Sequence, residues 1–188
     1  MKILLASNSP RRKELLQNLG YDFEVVGIDC DEIYPSSLLP SEIAGYLSDL
    51  KSKAYLQLQH DEVLITADTV VAVHNRVLGK PQNSEEAVDM LRQLAGTTHE
   101  VYTGITVRNS SKTITKTDVA RVEVEHMTED EINFYIDYYK PFDKAGGYGI
   151  QEWLGMAKIS KITGSFYTIM GLPTHLLYQI LKDFESEN

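Results

Sequence analysis

Residues Val63 to Val73 form a run of apolar, mostly β-branched side chains with one carboxylate, Asp68, near its middle. No alternation divides the run into a wet face and a dry face. It therefore predicts a central strand covered on both sides, which needs helices packed against both faces of a sheet. The flanking sequence supplies them. Ile3 to Ala6 reads as a short buried strand; Ser9 then caps a helix with Pro10 at its first position, Leu15, Leu16 and Leu19 as its apolar stripe and Gly20 as its stop. Phe23, Val25 and Ile28 predict a second strand, followed by the acidic turn Asp29-Cys30-Asp31-Glu32. Ile43, Tyr46, Leu47, Leu50, Ala54 and Leu58 recur at helical spacing and predict an amphipathic helix over about residues 41 to 59.

Beyond the central run, His74-Asn75-Arg76 predicts a turn into Val77-Leu78, and Ser84 predicts a helix cap with Glu85 and Glu86 in the first turn. Residues 101–107 and 113–124 alternate around Asn109-Ser110-Ser111-Lys112, the pattern of a hairpin. Thr128 and Glu131 form a capping box for a helix to about Tyr139. Met156 to Ile162 and Phe166 to Met170 read as a second hairpin around Gly164, and a last helix starts near Pro173. Helices alternating with strands, together with hairpins, give an α/β class with a mixed rather than purely parallel sheet. At 188 residues without a repeat or a Pro/Gly/Ser-rich linker, the chain is expected to form one domain, 1–188.

Composition narrows the function. Twenty-seven acids against eighteen bases give a net charge of −9, which argues against nucleic acid and anionic membrane as partners. One cysteine, Cys30, excludes an internal disulfide, and the first residues lack the apolar core of a signal peptide, so a cytoplasmic protein is expected. The first sixteen residues run against the overall charge, with Lys2, Arg11, Arg12 and Lys13 opposed by Glu14 alone. Cations in a first helical turn are disfavoured by the helix dipole unless an anion sits there. The same charges also serve simply to solvate a helix end.

Four segments carry candidate chemistry. Ser7 to Arg12 opens a helix with free amides and two arginines suited to phosphate oxygens. Asp68 is costly in its apolar run unless a metal, a cation or neighbouring amides satisfy it, so it is either structural or a metal ligand or general base, with Thr69 as a polar neighbour. Leu78-Gly79-Lys80-Pro81 holds Lys80 in a stiff turn, although a lone lysine in a turn is commonly only a surface residue. Lys144 to Gln151 carries three glycines that let backbone approach a flat ligand, with Gln151 able to read donor and acceptor groups. Glu32 can complete a carboxylate pair with Asp68 around magnesium or manganese, or remain a solvated acid. Lys51 and Lys53 sit on the long helix, where solvation is the ordinary state. The five histidines show no paired metal spacing, and GxSxG, GxGxxG and CxxC are absent. Phe134, Tyr135, Tyr138, Tyr139 and Phe142 read as core or a subunit contact.

Taken in order, LASNSPRRKELL, Asp31-Glu32, Lys53-Ala54, ITADTVV, LGKP, VYTGI, KAGGYGIQ and the GLP before the last helix resemble the Maf family of nucleoside triphosphate pyrophosphatases from Leu5 to about Leu181. The resemblance implies an elongated mixed sheet flanked by helices, similar to inosine triphosphate pyrophosphatases, with two lobes around a central cleft and a homodimer. It also implies hydrolysis of a nucleoside triphosphate to monophosphate and pyrophosphate with a divalent cation. On that match Asp68 takes the proton-acceptor position, and Arg11, Thr69 and Gln151 take positions associated with substrate choice. That combination is similar to the subfamily acting on dTTP and UTP rather than 7-methyl-GTP. Ser7, Arg12, Glu32, Lys53 and Lys80 match further polar positions, with Glu32 and Asp68 as the metal ligands. Glu152 stands where many members have glycine. Alternatives are cleavage of a modified purine triphosphate, or a non-catalytic nucleotide sensor acting in cell division.

Overall fold

A computed structural model describes residues 1–186. In chain order the elements are β1 (Lys2–Leu5), α1 (Pro10–Asn18), β2 (Phe23–Val25), α2 (Pro40–Ala54), β3 (Glu62–Val73), β4 (Arg76–Leu78), α3 (Ser84–Leu94), β5 (Thr98–Arg108), β6 (Thr113–Val124), α4 (Glu129–Tyr139), α5 (Trp153–Lys158), β7 (Ile159–Thr163), α6 (Phe166–Met170) and α7 (Thr174–Ser186). Two short 3₁₀ turns, Pro141–Asp143 and Ala145–Gly147, lie between α4 and α5. The sheet runs β2-β1-β3-β5-β6-β7, with β4 folded back onto β3. β1 is parallel to β2 and β3, and all other pairings are antiparallel. This is the expected mixed α/β class.

The central run is β3, and its period of two assigns the layers. Ile65 and Ala67 pack with α1 and α7 through Leu15, Leu16, Leu177, Ile180 and Phe184. Val71 and Val73, further along the same face, pack with α3 and α4 through Leu91, Leu94, Ile132 and Tyr135. Thr69 falls between these two clusters, so a polar residue marks the seam between two apolar lobes. The opposite face belongs to α2, where Ile43, Ala44 and Leu47 meet Val70. There the Thr66 hydroxyl donates to the Ser48 carbonyl at 2.6 Å. Gly104 permits this packing: it pairs with Asp68 in register, and a Cβ on it would lie 2.3 Å from the backbone carbonyl of Ala44. Helix α2 thus crosses the sheet in backbone contact beside Asp68.

Local signals located most termini. The Thr128 hydroxyl accepts from the Glu131 amide at 3.3 Å, and Glu131 accepts from the Thr128 amide at 2.8 Å, closing the expected capping box. The cap of α3 is Asn83 rather than Ser84, its side-chain oxygen accepting from the Glu86 amide at 2.9 Å. Ser9 occupies the cap position of α1, but its side chain makes no capping bond. The Ser7 hydroxyl accepts from the Ser9 amide at 3.2 Å instead.

Three further expectations differ. Helix α2 ends at Ala54, not near 59, because Arg108 on β5 binds the Ser52 carbonyl at 2.8 Å and the Tyr55 carbonyl at 2.7 Å, satisfying the helix end from outside. Leu58 therefore packs from a loop, beside Leu4 and Leu64. Strand β2 stops at Val25, and Ile28 lies in the following loop. Finally, Phe166–Met170 is a helix, not the return strand of a hairpin, and β7 covers only Ile159–Thr163. Gly171, at φ +106°, closes α6 by donating to the Tyr167 and Thr168 carbonyls, and its positive φ is what lets the turn end so sharply. Among the described residues no helix is long and apolar enough to cross a membrane.

Candidate active site

The site begins at a gap in the sheet. β1 leaves the edge of β3 after Leu5 pairs with Ile65, and β4 takes that edge up only where Leu78 pairs with Val71. Backbone groups of Ala67 and Thr69 face the gap unpaired by any strand, so side chains must satisfy them. Arg12 Nη1 donates to the Ala67 carbonyl at 2.9 Å, and the Thr69 amide donates to Asp68 Oδ1 at 2.8 Å. Arg12 also donates to the Gly171 carbonyl at 2.8 Å and the Thr69 hydroxyl at 3.2 Å. Three fixed donors on one planar head clamp α1, β3 and the end of α6 together. Burial draws the Arg12 pKa down from its usual value, with Asp68 opposing that shift.

The remaining Asp68 oxygen meets the ammonium of Lys51, which also holds Glu32 Oε1 at 2.8 Å. Burial opposes the charge on Glu32, but the hydrogen bond and charge of Lys51, with Lys80 and Arg12 beyond, hold its pKa below the ordinary carboxylate value. Two carboxylates converging on one cation form a donor set that fits a divalent ion. Among the described residues no group of three or more His, Cys, Asp or Glu could hold a metal, so water and phosphate oxygens would complete its shell.

A cleft open to solvent lies over this centre. Arg11, Arg12, Lys51, Lys80 and Lys144 line it against Glu32, Asp68 and Asp143, five cations against three acids on a chain of net charge −9. The Gly-rich segment with Gln151 lines one part, and Ser7, Asn8 and Pro10 line an adjoining part that shares Arg11, Lys51 and Lys80 with it. The Gly146 amide donates to the Gly79 carbonyl at 2.9 Å, fastening the Gly-rich turn to the turn that carries Lys80. Arg11 reaches Asp143 at 3.1 Å. Burial raises the Asp143 pKa, but Lys144 and Arg11 outweigh it and the net direction is down.

Of the residues singled out from sequence, Ser7, Arg11, Arg12, Glu32, Asp68, Thr69, Lys80 and Gln151 all line this cleft. Lys53 does not. It is largely exposed and paired with Asp49 one turn earlier on α2. The lysine that α2 delivers is Lys51, which shares the buried face with Leu47 and Ser48 at i+4 and i+3 spacing. That phase was available in the sequence, since 43, 44, 47, 48, 51 and 52 form one stripe and 53 falls off it. Asp143 was missed as a cleft residue because its partner Arg11 is distant in sequence, whereas Lys144 opens the candidate Gly-rich segment.

A family model described as Maf-like protein matches residues 2–184. The chain belongs to the Maf family. It is similar to a protein of Porphyromonas gingivalis named dTTP/UTP pyrophosphatase, 48% identical over 191 residues, covering all of this chain and 96% of that protein. A protein of the same name from Bacteroides thetaiotaomicron is 49% identical over 183 residues, covering 96% of this chain and 95% of its own length. Among solved structures, a HAM1 protein from Coxiella burnetii aligns with a TM-score of 0.53 at 12% identity, over 97% of this chain and 99% of that one. At that identity the likeness concerns the fold. Of the Maf motifs quoted above, those carrying Ser7 to Arg12, Glu32, Asp68 and Thr69, Lys80 and Gln151 supply cleft residues, whereas Lys53-Ala54 does not.

Proposed function

We propose that this chain is a single-domain cytoplasmic nucleoside triphosphate pyrophosphatase that hydrolyses dTTP and UTP to the monophosphate and pyrophosphate. The observation that carries the reading is Asp68, a buried carboxylate lining a cleft rich in cations and joined through Lys51 to Glu32. The names of the relatives support the same reaction and the same substrates.

The triphosphate takes the part lined by Ser7, Asn8 and Pro10, where Arg11, Lys51 and Lys80 exchange water and carboxylate partners for phosphate oxygens and the amides of α1 add donors. Ser7 and Thr69 supply polar walls, and Arg12 holds the Thr69 hydroxyl in place. The base takes the part lined by the Gly-rich segment. There the Gln151 amide offers one donor and one acceptor, the complement of a pyrimidine-2,4-dione edge. Asp68 orients a water for in-line attack and accepts its proton as the new oxygen–phosphorus bond forms at the α-phosphorus. The bond from that phosphorus to the bridging oxygen breaks, and pyrophosphate leaves with the electron pair. Glu32 and Asp68 would hold a magnesium or manganese ion, which when bound supplies charge neutralisation and a more acidic water. Most of the catalysis asked of the chain is positioning and charge neutralisation. A homodimer belongs to the same proposal, with the exposed Phe134, Tyr138 and Met156 as its apolar face.

The test is a panel of nucleoside triphosphates with magnesium or manganese, products separated by chromatography. Pyrophosphate and monophosphate from dTTP and UTP, lost in Asp68→Asn, support the reading. Turnover confined to purine triphosphates, or binding without turnover by folded protein, contradicts it.

A further inference from the structure

We propose that Glu152 is a positioning residue for base selection, acting through Tyr135 and Lys144 on the loop that presents Gln151. The inference rests on the reading of Gln151 as the residue that contacts the base. Gln151 is exposed at the cleft, whereas the loop before it, Gly146 to Ile150, is buried. Its position therefore depends on how that loop is anchored. Glu152 itself does not line the cleft, and its side chain is only 16% exposed.

The anchor closes around Gln151 from both sides. The Glu152 amide donates to the Gly149 carbonyl at 3.1 Å, forming the turn that spans Gln151. The Gly149 amide donates to the Tyr135 hydroxyl at 2.8 Å, and that hydroxyl donates to Glu152 Oε2. Gly149 and Glu152 are thus linked twice, once directly and once through a fully buried tyrosine of α4. Contact is close enough that a Cβ on Gly149 would fall 2.7 Å from the Glu152 carboxyl carbon. The second carboxylate oxygen, Oε1, meets Lys144 Nζ at 3.1 Å, and Lys144 also holds Asp143 Oδ1 at 2.7 Å. A lysine side chain only 9% exposed needs this compensation. Without Glu152 it would keep only Asp143, which Arg11 also engages. One carboxylate therefore satisfies a buried phenol and a buried ammonium together, and through the phenol it fixes the acceptor of the Gly149 amide; residue 151 is the exposed crest of that network.

The experiment compares wild type with Glu152→Ala and Glu152→Gln, after melting curves establish which variants are folded. Readouts are KM and kcat for dTTP and dGTP, and hydrogen exchange at the Gly149 amide. Loss of a charged hydrogen-bond acceptor predicts that the dTTP-over-dGTP preference in kcat/KM falls roughly tenfold or more in Glu152→Ala, mainly through KM for dTTP. Glu152→Gln, which keeps an acceptor for Tyr135, recovers a substantial part. Exchange at Gly149 quickens about tenfold in Glu152→Ala, since its acceptor is no longer fixed. A folded variant with wild-type preference, or with unchanged Gly149 exchange, overturns the proposal. Should wild type turn over no triphosphate, the reading of function fails, and the Gly149 exchange still decides whether Glu152 anchors the loop. If Glu152→Ala does not fold, Glu152→Gln with a preference and exchange identical to wild type overturns it.

Discussion

Arg11 Nη1 lies 3.1 Å from Asp143 Oδ2, so a guanidinium beside the N-terminus of α1 is held by a carboxylate on the other wall of the cleft. An anionic ligand at Arg11 must displace this contact and meet the repulsion of Asp143. Removing that carboxylate by Asp143→Asn is expected to lower KM for dTTP about two- to fivefold, the scale of a partly exposed ion pair. Lys144 retains Glu152 as a partner in the variant. Steady-state kinetics at low and high salt check this, the gain shrinking as salt rises. A raised KM would assign Asp143 a supporting role instead.

Lys51 and Lys53 separate a site lysine from a surface one on the same helix. Lys51 bridges Glu32 and Asp68, whereas Lys53 pairs with Asp49 in solvent. Lys51→Ala leaves two carboxylates facing each other in a partly buried place, and kcat/KM is expected to fall on the order of a hundredfold. Lys53→Ala is expected to stay within about twofold of wild type. Parallel kinetics on the two variants decide between them.

Arg12 is as much a fastening of the fold as part of the cleft. Its bonds to the Gly171 and Ala67 carbonyls and the Thr69 hydroxyl come from three different nitrogens. An ammonium cannot reproduce that fork, so Arg12→Lys is expected to lose about 1 to 3 kcal/mol of stability. Urea unfolding with an unchanged m-value would report it. A midpoint equal to wild type would contradict the clamp.

Stability should also carry the signature of one buried histidine. Burial draws the His99 pKa down from 6.5 to about 4, and its Nε2 lies 2.7 Å from the Tyr148 hydroxyl. Above pH 6.5 neither the folded nor the unfolded chain protonates it, and the contribution is intact. Between 6.5 and about 4 the unfolded chain takes up a proton that the folded chain refuses. His99 then removes up to about 1.4 kcal/mol of stability per pH unit. Urea midpoints from pH 7 downward should fall less steeply in a folded His99→Gln variant than in wild type. Equal slopes would show that His99 does not titrate differently on folding.

The sequence was most legible where a signal is local. β3 follows from its own composition, the α4 cap from Thr128 and Glu131, and the β5–β6 hairpin from alternation around Asn109, whose side chain accepts from the Lys112 amide at 2.7 Å. Elements fixed from a distance were not. The end of α2 depends on Arg108, more than fifty residues away. The helical state of Phe166–Met170 is held from β5 and β6, where the Thr103 hydroxyl donates to the Thr168 carbonyl and the Thr168 hydroxyl donates to Asp118. For the site, the residue types were visible but not their partners. Asp68 stood out as a carboxylate in an apolar strand, yet its pairing with Lys51 rather than Lys53 is set by which face of α2 packs on Gly104. Glu152 read only as a departure from the glycine of many family members, whereas Tyr135 and Lys144 turn it inward.

The central claim is that Asp68 directs water to the α-phosphorus of a pyrimidine nucleoside triphosphate. Hydrolysis of dTTP in ¹⁸O-enriched water, with products weighed by mass spectrometry, tests it most directly. One heavy oxygen in the dTMP and none in the pyrophosphate, with turnover lost in Asp68→Asn, is the predicted result. Heavy oxygen in pyrophosphate, release of orthophosphate, or undiminished turnover in Asp68→Asn would contradict it.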